Sequence, residues 1–289
     1  MTAYDDAALL PGGPLLALRR TDGERRPFLL VHGLSSNART WDAVAARLAA
    51  AGHHVVAVDQ RGHGHSEQRV DGYTTAQCAT DLAQLIEVLG FSGDRAPVVA
   101  GQSWGGNVVV DLAARHGGVA AAALIDGGWI QLSRRFATFD ECWAALEPPS
   151  FDNTHADELT GWLAKAHPDW SEEGLAGTMA NFELLDGGAV RPWLRRDHHR
   201  EIVRSMFESE PAKLFPDIDV PVLLVPVIGD PPGEVDEAKR AAVAEAETLL
   251  PDASIRWYPG ADHDVHVQHP QQIADDLLGL LARADGRAA

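Results

Sequence analysis

The feature that most constrains the fold is the segment 96–107, which reads APVVAGQSWGGN. Its apolar β-branched start predicts a buried strand, and residues 107–115 predict a helix that begins almost at once. The five residues GQSWG at positions 101–105 must therefore turn the chain from strand to helix. Glycines two places before and two places after Ser103 let the strand and the helix pass closely. Ser103 is then exposed at a helix N-terminus, where backbone N–H groups favour a developing negative charge.

Strand and helix patterns alternate on both sides of this segment. Strands are predicted at 14–20, 28–32, 55–59, 97–100, 120–125, 220–227 and 254–258. Helices are predicted near 75–89, 107–115, 237–250 and 271–284. This alternation predicts an α/β fold with a mostly parallel, doubly wound sheet and helices on both faces.

The alternation stops for about eighty residues, and we interpret residues 129–215 as an inserted helical cap or lid. Residues 1–128 and 216–289 then form the α/β core. The block contains four helix-like pieces, at 134–146, 156–166, 172–185 and 197–208. Among its aromatic residues, Trp193 and Phe207 are the candidate contacts for a substrate under the cap. His198 and His199 are expected to face solvent.

Composition narrows the classes of partner. The 289 residues include 42 acidic and 24 basic side chains, a formal net charge of −18. Because this charge repels nucleic acids and anionic membranes, we expect a small-molecule substrate and neither of those partners. The acidic N-terminal start and two cysteines, with no long apolar run, predict a cytoplasmic protein without a disulfide framework. Nothing in the composition predicts an oligomeric state.

A serine hydroxyl needs a base to act as a nucleophile near neutral pH, and a carboxylate must orient that base. His263 is the candidate base. It lies in the turn PGADH after the last predicted strand, from which its side chain can reach the neighbouring turn of Ser103. His63 and His65 lie in a compact turn with two glycines, and we assign them a structural role.

Together these motifs resemble the α/β-hydrolase family, in which serine, acid and histidine follow one another in that order. The resemblance runs from about residue 28 to the C-terminus, and the motifs that carry it are His32-Gly33 and the segments 59–66, 101–105 and 260–263. It implies that Ser103 is the nucleophile and His263 the general acid and base. It also implies an oxyanion hole formed by the backbone N–H groups of Leu34 and Trp104, and no cofactor.

The resemblance places the catalytic acid after either of two strands, and a carboxylate stands at both. Asp230 has the usual register, but Val227 replaces the glycine expected before it. Asp126 ends the strand that follows the Ser103 helix, and the two glycines after it allow a turn that points a carboxylate inward. We favour Asp126 and keep Asp230 as the alternative.

The implied activity is a serine hydrolase that cleaves a small, largely apolar ester or lactone through an acyl-enzyme. A carbon–carbon bond hydrolase or lyase and a non-catalytic small-molecule receptor are the alternatives. Serine at position 103 argues against epoxide hydrolase or dehalogenase chemistry, which uses a carboxylate nucleophile in this family. A metal site at His263, His266 and His269 with Asp262 and Asp264 is disfavoured, because this spacing does not bring three histidines together. We therefore expect no metal.

Overall fold

The computed structural model describes residues 6–288. Its strands, in chain order, are β1 (Asp6–Leu9), β2 (Leu15–Thr21), β3 (Arg25–Val31), β4 (His53–Val58), β5 (Val98–Gln102), β6 (Ala121–Ile125), β7 (Phe182–Leu184), β8 (Val190–Pro192), β9 (Val222–Val225), β10 (Val227–Ile228), β11 (Ala253–Ile255) and β12 (Tyr258–Pro259). Its α-helices are α1 (Asp42–Ala50), α2 (Thr75–Val88), α3 (Trp104–Arg115), α4 (Phe139–Leu146), α5 (Ala156–Ala166), α6 (Glu172–Met179), α7 (Arg196–Glu208), α8 (Glu234–Leu249), α9 (Val265–Gln268) and α10 (Pro270–Ala288).

Eight strands form the main sheet in the order β1-β2-β4-β3-β5-β6-β9-β11. The first two pairings are antiparallel and the remaining five are parallel. Strands β10 and β12 form a separate parallel pair beyond β9 and β11. The prediction of a mostly parallel α/β sheet is confirmed. The edge strand β1 was not predicted, since four residues are too few to show a periodic pattern.

Helices cover both faces of the sheet, and alternate residues of each strand feed two separate cores. In β3, Leu29 and Val31 pack with α2 and α3 on one face, while Phe28 and Leu30 pack with α1 and α10 on the other. All four side chains are fully buried. A strand covered on both faces must be apolar throughout, which is why FLLV carries no polar residue.

The segment between β6 and β9 contains α4, α5, α6, α7 and a two-stranded antiparallel hairpin of β7 and β8. The predicted helix at 172–185 is therefore wrong beyond Met179. The reason is the turn at Gly187 and Gly188, where φ is 80° and 86°. This left-handed backbone reverses the chain, and the N–H of Leu185 donates to the carbonyl of Ala189 at 2.8 Å.

Within residues 6–288, no helix is both long enough and apolar enough to cross a lipid bilayer. Both cysteines, Cys78 and Cys142, are buried free thiols. The cytoplasmic location remains a prediction.

Candidate active site

The turn that carries Ser103 joins β5 to α3 with this single residue between them. Ser103 has φ 53° and ψ −125°, a strained conformation that lifts its side chain out of the turn. A Cβ on Gly101 would strike the carbonyl of Gly105, and one on Gly105 would strike the carbonyl of His32. The two glycines of the motif are thus required by close backbone approach. The N–H of Ser103 donates to the carbonyl of Ile125 at 2.8 Å and ties the turn to β6.

His263 and Asp126 reach each other from the ends of two different strands. His263 lies in the loop after β12, and its Nδ1–H donates to Asp126 Oδ2 at 2.6 Å. Asp126 directly follows β6 with φ 42°, and its side chain is almost fully buried. Asp230, the alternative acid, is exposed. The structure therefore brings Asp126 to His263 and leaves Asp230 at the surface.

Sequence reasoning missed a third member of this cluster, Lys239 of α8. Its Nζ donates to both carboxylate oxygens of Asp126, at 2.8 and 3.0 Å, and to the carbonyl of Val227 at 2.7 Å. The N–H of Val227 also donates to Asp126 Oδ1 at 3.0 Å. The residue that breaks the usual pattern before Asp230 thus contacts Asp126 instead. The basic pair Lys239-Arg240 in an otherwise acidic helix was a sequence signal for this contact.

Charge pairing determines the protonation states of Asp126 and His263. Burial alone raises the pKa of Asp126, but the hydrogen bond and charge of His263 and the Lys239 ammonium outweigh it and lower that pKa. Burial alone lowers the pKa of His263, but the hydrogen bond to Asp126 and the nearby carboxylate of Asp264 outweigh it and raise that pKa. Asp126 is therefore ionised near neutral pH, and it stabilises the imidazolium form of His263.

Leu34, one of the two predicted oxyanion donors, borders the same space as Ser103. Trp104 is the first residue of α3, so its backbone N–H has no acceptor inside the helix. Leu34 lies with Ser103 and His263 around a small cavity of about 120 Å³. The indole of Trp104 is fully buried and donates to the hydroxyl of Thr75 at 3.1 Å, so it packs in the core and does not face the cavity.

Two buried neutral histidines fix the loop that carries Leu34. His32 Nδ1–H donates to the carbonyl of Gly33 at 2.7 Å, and its Nε2 accepts from the N–H of Gln60 at 3.0 Å. Burial lowers the pKa of His32 to about 4. His63 Nδ1–H donates to the carbonyl of Arg61 at 3.0 Å, and its Nε2 accepts from the N–H of Ser35 at 3.2 Å. Both rings hold the loop in place through their hydrogen bonds.

A second, larger cavity of about 870 Å³ lies between this loop and the cap. Ser35, Ser36 and Asn181 border both cavities, so the two spaces adjoin at these residues. Most of the exposed wall of the larger cavity is apolar. A small organic molecule could therefore place a reacting group beside Ser103 and the remainder of its structure under the cap.

The cap residues predicted from the sequence occupy different places. Trp193 lines the larger cavity, and its ring lies 5.0 Å from that of His65. Phe207 is absent from the walls of that cavity and packs against Phe139, with ring centroids 6.0 Å apart. The substrate role of Trp193 stays a prediction that its position allows, whereas Phe207 lies with the hydrophobic core.

The expectation that His198 and His199 face solvent is wrong. Their exposed fractions are 6% and 7%. The ring of His198 stacks on Tyr73 at 3.9 Å, and His199 bonds both Ser35 and the carbonyl of Leu146. Both belong to the buried stripe of α7, in which the two nitrogens of His199 have hydrogen-bond partners and the ring of His198 is covered by Tyr73.

The histidines of the 262–269 loop do not converge. His266 is fully buried with its ring 4.3 Å from that of Trp41, while His269 lies beside Tyr258. Asp262 accepts hydrogen bonds from His167 and Trp170 at 2.9 and 2.8 Å. In the part of the chain that is described, no three histidine, cysteine or carboxylate side chains are grouped as metal ligands would be.

Comparison with known proteins relates this chain to named enzymes. The sequence pattern of the "Alpha/beta hydrolase family" matches residues 28–276. A "Non-heme haloperoxidase" of Rhodococcus erythropolis is 28% identical over 266 residues, covering 90% of this chain and 93% of that protein. A "2-(acetamidomethylene)succinate hydrolase" of Mesorhizobium japonicum is 26% identical over 254 residues, covering 87% and 86%. The crystal structure of E-2-(Acetamidomethylene)succinate Hydrolase superposes with a TM-score of 0.75 at 25% identity, covering 93% and 96%.

Proposed function

The chain belongs to the alpha/beta hydrolase family, and from that premise we propose that it cleaves a small, largely apolar ester or lactone through an acyl-enzyme on Ser103. The two relatives are named as a peroxidase and a hydrolase, which confirms the prediction of an enzyme over that of a non-catalytic receptor. The observation that carries the proposal is the hydrogen bond of His263 to Asp126, together with the cavity that Ser103, His263 and Leu34 line.

In the proposed first half-reaction, the Oγ of Ser103 attacks the carbonyl carbon and its proton passes to Nε2 of His263. The backbone N–H groups of Leu34 and Trp104 stabilise the oxyanion that forms. When this intermediate collapses, the bond to the alcohol oxygen breaks and His263 protonates that oxygen. For a lactone, the new hydroxyl stays attached to the acyl chain.

In the second half-reaction, His263 takes a proton from water, and the hydroxide that results attacks the acyl carbon. Collapse returns the electron pair and the proton to Ser103 and releases the carboxylic acid. Asp126 holds the Nδ1–H tautomer of His263 and stabilises the imidazolium in both halves, and Lys239 holds Asp126.

The test is covalent labelling combined with kinetics. We expect Ser103→Ala to lower kcat by about 10⁴-fold or more with an unchanged fold, as removal of a triad nucleophile does. A serine-directed organophosphate should add once, at Ser103. Labelling of another residue, or full activity of the alanine variant, would reject the assignment. A panel of phenyl esters, lactones and diketones separates ester cleavage from carbon–carbon bond cleavage, which stays the alternative.

A second candidate is hydrolysis of a substrate that bears a carboxylate, and the arginines of the larger cavity favour it. Three arginines line that cavity. Arg191 pairs with Glu183 at 3.0 Å, and Arg196 pairs with Glu147. Within the described residues, Arg195 has no such ion-pair partner, which leaves a cation available to an anionic substrate. The relative with a succinate in its name acts on a molecule of that kind.

This candidate predicts a charge-selective effect. Arg195→Gln should raise KM about tenfold for the monophenyl ester of succinic acid and leave phenyl propanoate unchanged. Arg191→Gln is the matched control, because the Arg191 cation already pairs with Glu183. Equal effects of both variants on both esters would remove this candidate without affecting the assignment of Ser103.

A further inference from the structure

Ser35 lies where the two cavities adjoin. It directly follows Leu34, one of the proposed oxyanion donors, and it borders both the space around Ser103 and the space under the cap. Its backbone has φ 58°, a left-handed conformation that is uncommon for serine. The hydrogen bond from its N–H to His63 holds it there.

The hydrogen bonds of His199 fix the direction in which the Ser35 hydroxyl points its proton. A carbonyl oxygen only accepts, so the contact of 3.1 Å between Nε2 and the carbonyl of Leu146 places a proton on Nε2. Burial lowers the pKa of His199, so the ring is neutral near pH 7 and its Nδ1 is an acceptor. The Ser35 hydroxyl, 2.9 Å from Nδ1, must then be the donor.

A hydroxyl whose single proton is committed has only lone pairs left to offer. Ser35 is half-buried and borders both cavities, so a bound molecule meets an acceptor there and not a donor. His199 is 7% exposed and both of its ring nitrogens have hydrogen-bond partners, which keeps the arrangement intact when a substrate enters.

We infer that Ser35 is a specificity-determining residue that accepts a hydrogen bond from an N–H or O–H group on the acyl part of the substrate. This inference rests on the proposed function and names its substrate class: esters of acids that carry a hydroxyl or amide N–H close to the scissile carbonyl. An acyl group without a donor leaves Ser35 Oγ desolvated and unpaired, and this penalty discriminates against it. Because the acyl group remains on Ser103 through both half-reactions, the contact acts on both.

The experiment measures kcat/KM for three phenyl esters on the intact enzyme. Phenyl hydroxyacetate carries the donor. Phenyl methoxyacetate keeps the inductive effect but lacks the donor, and phenyl propanoate keeps the size but lacks it as well. Two ratios are measured: kcat/KM for hydroxyacetate over that for methoxyacetate, and kcat/KM for hydroxyacetate over that for propanoate. Both are compared between the native enzyme and Ser35→Gly, since glycine tolerates φ 58° and removes only the hydroxymethyl group. We expect each ratio to be about tenfold smaller in the variant.

Two further variants keep the result unambiguous. His199→Phe removes the acceptor of the Ser35 proton, so the hydroxyl can donate and methoxyacetate should gain relative to hydroxyacetate. Ser36→Ala is the matched control, because the hydroxyl of Ser36 contacts Thr40 and not His199. We expect it to keep the native ratios.

Unchanged ratios in Ser35→Gly, or their loss in Ser36→Ala alone, would overturn the inference while leaving the hydrolase assignment standing. If the enzyme hydrolyses none of the three esters, both the inference about Ser35 and the proposed function are rejected. Ser35→Ala replaces the glycine variant if the latter does not fold, and the same ratios decide.

Discussion

His263 and His199 border neighbouring cavities, yet their surroundings give them opposite properties. His263 lies at the carboxyl edge of the sheet, with a buried carboxylate at 2.6 Å, and its pKa is raised. His199 lies in the wall of the cap, between a hydroxyl and a carbonyl, and its pKa is lowered by burial and by the nearby Arg196 cation. One ring is suited to take up a proton, and the other holds its proton on one nitrogen.

The difference separates the chemistry from the selection of substrate. At the sheet edge, Asp126 and Lys239 form a charged chain behind the base. At the cap wall, most of the exposed surface is apolar, and arginine side chains add local positive charge. We therefore expect variants at the edge to change kcat and its pH dependence, and variants at the cap to change the order of substrates.

The largest expected effect comes from giving His263 a neutral partner, as His199 has. Asp126→Asn should lower kcat by about 10⁴-fold, because an amide neither holds the required tautomer nor stabilises the imidazolium. Asp230→Asn is the matched control. Its side chain is exposed, so we expect nearly native kcat.

Kinetics on both variants, with thermal unfolding to verify their folds, check this prediction. A folded but inactive Asp230→Asn beside an active Asp126→Asn would exchange the roles of the two carboxylates. It would also require the loop after β12 to adopt a different arrangement from the one described.

The sequence predicted the sheet edge far better than the cap. The segment around Ser103 combines a strand pattern, a glycine-determined turn and a helix pattern, and each of these is local. The contact between Asp126 and Lys239 joins residues 113 positions apart. No local pattern encodes it, because α8 reads as an ordinary solvated helix.

The cap was predicted least well because its elements are short and its burial is set by tertiary contacts. Strands β7 and β8 have three residues each, which is too few for an alternation to appear. His198 and His199 follow charged residues and read as surface positions. Only the packing of α7 against Tyr73 and Ser35 buries them.

A subtler change at the sheet edge removes the cation behind Asp126. The Lys239 charge lowers the pKa of His263, so Lys239→Met should raise that pKa. His263 must be neutral to accept the serine proton, and therefore the acidic limb of the kcat/KM profile should move to higher pH. We expect a smaller loss of kcat than in Asp126→Asn, since the carboxylate keeps its bonds to Val227 and His263.

Lys213→Met is the control for the change in net charge, because Lys213 is exposed and pairs with Glu210 at 2.6 Å. Lys239→Arg should restore the native profile in part. If the acidic limb of Lys239→Met stays in place or moves to lower pH, the Lys239 charge does not lower the pKa of His263.

The smallest expected effect lies in the cap, where two aromatic side chains are predicted to differ. Trp193 lines the larger cavity, so Trp193→Ala should change the ratio of kcat/KM between large and small acyl esters by about tenfold. Phe207 packs against Phe139 and the core, so Phe207→Ala should lower the free energy of unfolding by about 1–3 kcal/mol and leave that ratio unchanged. Denaturant unfolding and an acyl-chain series measure the two effects. If Phe207→Ala also reorders the substrates, the packing of Phe207 in the core determines the shape of the cavity wall. In that case, selection of substrate extends beyond the residues that line the cavity.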